Sequence, residues 1–139
     1  SVGFTNWSDD GAEYKFHLGT DEAVQVVRDL DEVWTNHDWE GVRGMLADTA
    51  KFYWRNGNVQ SVDEFMTQIS TDSTLLVNWK FNGAFSVDLD PTRGGEHVHA
   101  NFSVSTQTDS TTVKRDLIER YYIIDGKVVT WHQFSIDVK

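Results

Sequence analysis

Glu119 and His132 stand on either side of Asp125-Gly126, in two segments dense in β-branched and aromatic residues. Asp-Gly between such segments is a strong hairpin signal. With a two-residue type I′ turn, Glu119 lies opposite His132. The two then form a carboxylate–imidazole pair suited to general acid–base chemistry. With a three-residue turn in which Gly126 is a left-handed bulge, the register slips by one and Glu119 lies opposite Trp131. The sequence permits both. A carboxyl held among Tyr121, Trp131 and Trp54 would be desolvated, its pKa would rise, and Glu119 would become a candidate catalytic acid or base. The alternative is a structural carboxylate paired with Arg115, Arg120 or a core hydroxyl.

Other residues suggest weaker chemistry. His97-x-His99 puts two imidazoles on one strand face, a spacing some metal sites use. No third ligand is evident nearby and Glu96 points the other way, so a polar strand face is the reading and no metal is expected. His37, at the end of a helical segment, could reach a pocket rim or simply favour the helix C-terminus. Trp34, Trp54, Trp79 and Trp131 could line a cage for a planar or hydrophobic ligand, or be packed core. No glycine-rich phosphate loop, nucleophile elbow or Cys/His dyad is present, and no cofactor is implied.

These residues sit in a chain of 139 residues, enough for one domain with a real core. Six tryptophans and 13% aromatics call for an aromatic-rich core or cavity. Twelve basic against twenty-two acidic residues give a charge of −10, which would repel a phosphate backbone and an anionic membrane. No run approaches the roughly 18 apolar residues of a membrane span. The absence of cysteine excludes disulfides and thiolate metal sites but leaves the compartment open. The sequence opens at Ser1 without a basic-then-apolar signal pattern, and reads as a soluble, processed or trimmed product, compatible with export.

Residues 1–20 have no steady period and read as an extended arm that could pair with a sheet, leaving 21–139 as a single domain. Thr20-Asp21-Glu22 caps a first helix with its stripe at Ala23, Val26, Val27, Leu30, Val33, Trp34 and His37. Asp38 caps a second, shorter one carrying Trp39, Val42, Met45 and Leu46. Ala50 to Trp54 alternates as a strand, and Asn56-Gly57-Asn58 turns. Ser61 and Glu64 have capping-box spacing and open a third helix. After Ser70-Thr71-Asp72 the period becomes 2. A long strand runs from Leu75 to about Leu89 with a bulge or bend at Gly83, and a loop holds Pro91. The next strand places Val98, Ala100, Phe102 and Val104 on one face. Thr108 to Thr112 is a polar turn into the final hairpin. Helices first and a strand meander afterwards predict an α+β domain with helices on one face of a curved sheet.

Two local patterns add a resemblance. Asn36 to Phe52 looks like a small helix followed by an A-D-x-A strand, and Glu119 to Val128 like a D-x-F-x-F-x-D-G-K-I strand and turn. In this order and separation, over roughly Thr20 to Val138, they resemble the nuclear-transport-factor-2-like superfamily, which includes SnoaL-like cyclases and ketosteroid isomerases. The resemblance implies a cystatin-like cone whose antiparallel-rich sheet holds about three helices on its concave face and encloses an apolar pocket, commonly in a homodimer. It also favours the register that points Leu117, Glu119, Tyr121, Val129, Trp131 and Gln133 inward, leaving His132 on an outer face with Thr130, Phe134 and Ile136. The resemblance withholds catalytic groups: Trp54 stands where the isomerases carry a general-base Asp, Leu30 near their oxyanion Tyr, and only Glu119 keeps an acid. The expectation is an aromatic-lined pocket binding a small hydrophobic molecule, with Trp34, Trp54, Trp79, Tyr121, Trp131 and Gln133 as its lining. The alternative is an isomerase, cyclase or dehydratase using Glu119.

Overall fold

The computed structural model describes residues 2–6, 10–71, 78–88 and 95–138. These residues form three helices, α1 (Asp21–Thr35), α2 (Trp39–Gly44) and α3 (Val62–Thr71). They also form eight strands, β1 (Gly3–Thr5), β2 (Tyr14–Leu18), β3 (Leu46–Tyr53), β4 (Val59–Gln60), β5 (Asn78–Asp88), β6 (Gly95–Thr108), β7 (Thr111–Ile124) and β8 (Lys127–Val138).

The helix starts follow local chemistry. Thr20 accepts the Ala23 amide at 3.2 Å, with Asp21 and Glu22 in the electropositive first turn. Asp38 accepts the Gly41 amide at 2.9 Å. Ser61 and Glu64 form a reciprocal capping box at 3.1 and 3.3 Å. The second helix is shorter than its apolar residues predict. It ends at Gly44, and Leu46 instead opens β3, where it is buried and paired with Val128. Gly41 and Gly44 are poor helix formers, and the sheet offers Leu46 a partner that one more helical turn would not.

The sheet order is β1-β2-β5-β6-β7-β8-β3-β4, antiparallel throughout except where β3 runs parallel to β8. Strand β4 is two residues long, too short to show a period, and was not foreseen. Part of the arm pairs as β1 and β2 along the β5 edge. Glu96 ties that corner down by accepting from the Thr20 amide, the Thr20 hydroxyl and the Ser86 hydroxyl. In β5 the register passes from Phe81↔Phe102 to Gly83↔Asn101, so Asn82 is the extra residue of a bulge. The Leu75–Val77 alternation and the Pro91 loop lie outside the described residues. The polar turn narrows to Asp109-Ser110, with Asp109 at φ 49°.

The last hairpin has neither of the two expected registers. Asp125 (φ 51°) and Gly126 (φ 74°) are both left-handed and make a two-residue turn, with Ile124 opposite Lys127. Then Ile123 pairs with Val128 but Tyr122 with Thr130, so Val129 is bulged out. That single extra residue puts Glu119 opposite Gln133 and Tyr121 opposite Trp131. Leu117, Glu119, Tyr121 and Trp131 are buried, while Val128, rather than Val129, takes the buried place near the turn. His132 lies on the outer face, stacked on Tyr53 with ring centres 4.3 Å apart.

Helix and inner-sheet residues share one core, in which Val27, Leu30, Val42, Phe52, Phe65, Val98, Phe102, Tyr121 and Trp131 meet. This is the α+β cone, with helices on one face. Phe52 and Phe65 stack at 3.8 Å with ring planes 2° apart, tying α3 to β3. Phe65→Ala removes a ring with no exposed surface, and we expect it to cost about 3–5 kcal/mol. Urea unfolding followed by tryptophan fluorescence measures this, and a loss under about 1 kcal/mol would contradict the packing.

Candidate functional site

The bulge at Val129 decides what surrounds the Glu119 carboxyl. Glu119, Tyr121, Trp131 and Gln133 come from two adjacent strands and converge on the inner face. Tyr121 donates its hydroxyl to Oε2, the Trp131 indole N–H donates to the same oxygen at 2.7 Å, and the Gln133 amide donates to Oε1 at 3.2 Å. Glu119 is 1% exposed. Neither arginine considered as its partner reaches it: Arg115 pairs with Asp137 at 3.1 Å, and Arg120 stands over Phe134 on the outer face. The partner is a core hydroxyl, joined by an indole and an amide.

These groups form the floor of a cavity of about 60 Å³. Its walls are Val27, Leu30, Asp31 and Trp34 of α1, with Trp54, Trp79, Phe102, Tyr121 and Trp131. The rings are in contact: Trp34 lies 5.9 Å from Trp131 and 6.5 Å from Trp79, and Tyr121 lies 4.9 Å from Trp131. Trp54 is held by donating to Gln60, which donates in turn to Gln68. A second, wider space of about 290 Å³ shares Trp54, Trp79 and Gln133 with the first. It is lined by polar groups including Arg55, Asn58, Gln60, Gln68 and Arg115. The first is a deep aromatic chamber and the second a polar outer one, with Trp54, Trp79 and Gln133 in the wall of both.

Val27, Leu30, Asp31 and Phe102 are wall residues absent from the expected lining, and Asp31 alone among them carries a charge. It stands four residues after Val27 and three before Trp34, a lone charge set into an apolar helical face, and that interruption was the available signal. The Trp79 indole donates to its Oδ1 at 3.1 Å. Burial raises its pKa and the indole bond opposes the rise. Glu119 is also raised, first by burial and further by the nearby Asp31 charge, against the pull of Tyr121, Gln133 and Trp131. Tyr121 is pushed well above the usual phenol range, by burial and then by the Glu119 charge, so it stays a neutral donor.

The remaining candidates lie elsewhere. His97 and His99 face outward beside Arg120. Burial and then that guanidinium hold both below the usual imidazole range, His97 at about 4. No group of three or more metal-ligating side chains occurs among the described residues. His37 is exposed, left-handed at φ 54°, and stacks on Trp39 rather than facing the chamber. No helix among the described residues is long and apolar enough to cross a membrane.

No protein-family model matches this sequence, and no curated protein matches it significantly. Solved structures do match the fold. A protein provisionally termed a ketosteroid isomerase, from Kribbella flavida DSM 17836, superposes with a TM-score of 0.67 at 12% identity, over 88% of this chain and 83% of its own. An LEH-like epoxide hydrolase from M. tuberculosis gives 0.63 at 14% identity, over 84% of each chain. An NTF2-like protein of unknown function from Burkholderia xenovorans LB400 gives 0.65 at 10% identity, over 86% of each. The chain therefore has the nuclear-transport-factor-2-like fold. Leu30, Trp54 and Glu119, the positions that the resemblance aligns with ketosteroid isomerase catalytic groups, all line the deep chamber, and Glu119 alone among them is an acid.

Glu119 keeps its proton in the folded chain at pH values where the unfolded chain has lost it. The native state then binds more protons, so stability falls as pH rises from about the ordinary value of 4.5 toward the raised native one. Glu119→Gln removes this slope. Its carbonyl can accept from Tyr121 and Trp131, and its amide can donate to a turned Gln133. We expect the variant to gain on the wild type as pH rises, in urea unfolding at pH 4 and pH 8. A variant that loses ground at pH 8 would show that the folded chain favours the charged Glu119 through its three donors.

Proposed function

We propose that this chain binds a small hydrophobic molecule in the deep chamber, with the ligand extending past Trp54 and Trp79 into the outer one. The observation that carries this is the ring-walled space: four tryptophans and a tyrosine surround a volume they do not fill. Sixty cubic ångströms holds a few waters or a compact head group, so the body of a ligand belongs in the outer chamber. Glu119 serves as a fixed polar anchor, because its three protein donors hold the carboxyl in one orientation. A metabolite mixture screened by thermal unfolding tests the idea, since a ligand at 100 times its Kd adds about 2.7 kcal/mol. Leu30→Phe should fill the chamber and abolish the shift in a folded protein. A shift that survives this change would place the ligand elsewhere.

A second reading makes the chain an enzyme of the isomerase, cyclase or dehydratase type, with Glu119 as acid or base. Asp31 favours it. Two carboxyls in one chamber, one sealed and one half-buried, are an arrangement in which one can give a proton and the other take it.

The outer sheet face supports a homodimer. Phe85, Ile118, Phe134 and Ile136 are exposed there, the last at 67%. Sedimentation at micromolar concentration should give about twice the 15.9 kDa chain mass, and Phe134→Glu should return it to one. A wild-type monomer would remove this face as an interface.

A further inference from the structure

The reading of the chamber as a ligand site leaves the ligand's chemistry open, and the charges within the wall narrow it. Among the described residues, the deep chamber is lined by two acids, Asp31 and Glu119, and by no lysine, arginine or histidine. The rings of Trp34, Trp54, Trp79 and Trp131 line the same small space. Aromatic faces carry negative quadrupole density and attract a cation, and the attraction grows when water is excluded. We propose that the deep chamber takes an organic ammonium, a compact methylated or primary amine head on an apolar or weakly polar body. This rests on the reading that the chamber binds a ligand, and it specifies the class.

The energetics follow from the same groups. A cation entering an apolar space loses hydration, and ring faces alone recover only part of it. The rest comes from the two carboxyls, which release protons and ionise against the guest. Once ionised, Glu119 has Tyr121, Trp131 and Gln133 all donating to it. Asp31 has its Oδ1 engaged by Trp79. A neutral ligand leaves both acids as they are. Around these carboxyls, the other titratable group on the chamber wall among the described residues is the neutral Tyr121. Arg55 and Arg115 stand in the outer chamber, where Arg115 is paired with Asp137. The cation preference therefore belongs to the deep end, and the tail meets arginine and amide groups. The charge of −10 also concentrates cations around the molecule.

The test is a pair of nearly isosteric probes, choline and 3,3-dimethyl-1-butanol, which differ in the charge at the central atom of the head group. Binding is followed by tryptophan fluorescence and confirmed by calorimetry on the intact chain. We expect choline to bind about tenfold more tightly than the alcohol at pH 8, the margin that one desolvated cation–aromatic contact supplies. Because choline's head does not titrate, its affinity should rise with pH between 4 and 8, with protons released, while that of the alcohol stays flat. Asp31→Asn, checked for folding by circular dichroism, should remove most of the choline preference and leave the alcohol unchanged. Should Asp31→Asn not fold, Glu119→Gln serves in the same comparison. Equal binding of the two probes, or preference for the alcohol, overturns the ammonium assignment while leaving a hydrophobic-ligand site in place. Binding of neither probe, alongside stabilisation by an uncharged metabolite that Leu30→Phe abolishes, does the same. Binding of neither probe and of no metabolite sinks both readings.

Discussion

A carboxyl cannot be buried at the centre of an aromatic core unless hydrogen-bond donors meet it there, and much of this molecule satisfies that condition for Glu119. Stranding it without partners would cost several kcal/mol. Its donors sit on its own strand, on the neighbouring strand opposite it, and one diagonal step away: Tyr121, Gln133 and Trp131. All three must share its face. Without the bulge at Val129, the tight Asp125-Gly126 turn would set His132 opposite Glu119 and rotate Trp131 and Gln133 to the outside. One inserted residue, placed beside the point where β3 joins the other edge of β8, thus determines the partners of the buried acid and the lining of the chamber.

The chamber itself follows from shape. Phe65 and Phe52 stack flat and fill their layer, but Trp34, Trp79 and Trp131 meet at tilts of 32° and 59° and leave a gap. Large rigid rings have few rotamers with which to close such a space, unlike leucine or methionine. Asp31 keeps part of the wall polar, and its indole partner Trp79 also lines the outer chamber. The groups that shape the space and the groups that carry its chemistry are therefore the same, and a change at either alters both.

The outer face obeys different rules. There the pleat presents His97, His99, Arg120 and His132 beside exposed Ile118 and Phe134. Partial burial, and then the Arg120 guanidinium, keep the imidazoles neutral, so this face is less charged than its composition suggests. The two faces of one sheet thus separate cleanly, an aromatic interior holding two carboxyls and a mixed apolar and imidazole exterior.

The α+β class, the three helix starts and the inward face of β6 are legible in the chain, because caps and periodicity are local and Thr20, Asp38, Ser61 and Glu64 act on amides within three residues. The aromatic character of the interior is legible for the same reason, since Trp34, Trp79 and Trp131 fall on apolar stripes. Leu46 misled because its partner, Val128, is eighty-two residues away. The hairpin register also escaped: Asp125-Gly126 specifies the turn, but the Val129 bulge answers to β3, a strand from the first half of the chain. Asp31 was readable as an interruption of a stripe, yet its place opposite Glu119 depends on how α1 crosses β5 and β6. Local patterns can name elements and their faces, but they cannot state which faces meet. The meeting of Asp31, Glu119 and the tryptophans is a long-range fact, and only the folded sheet decided it.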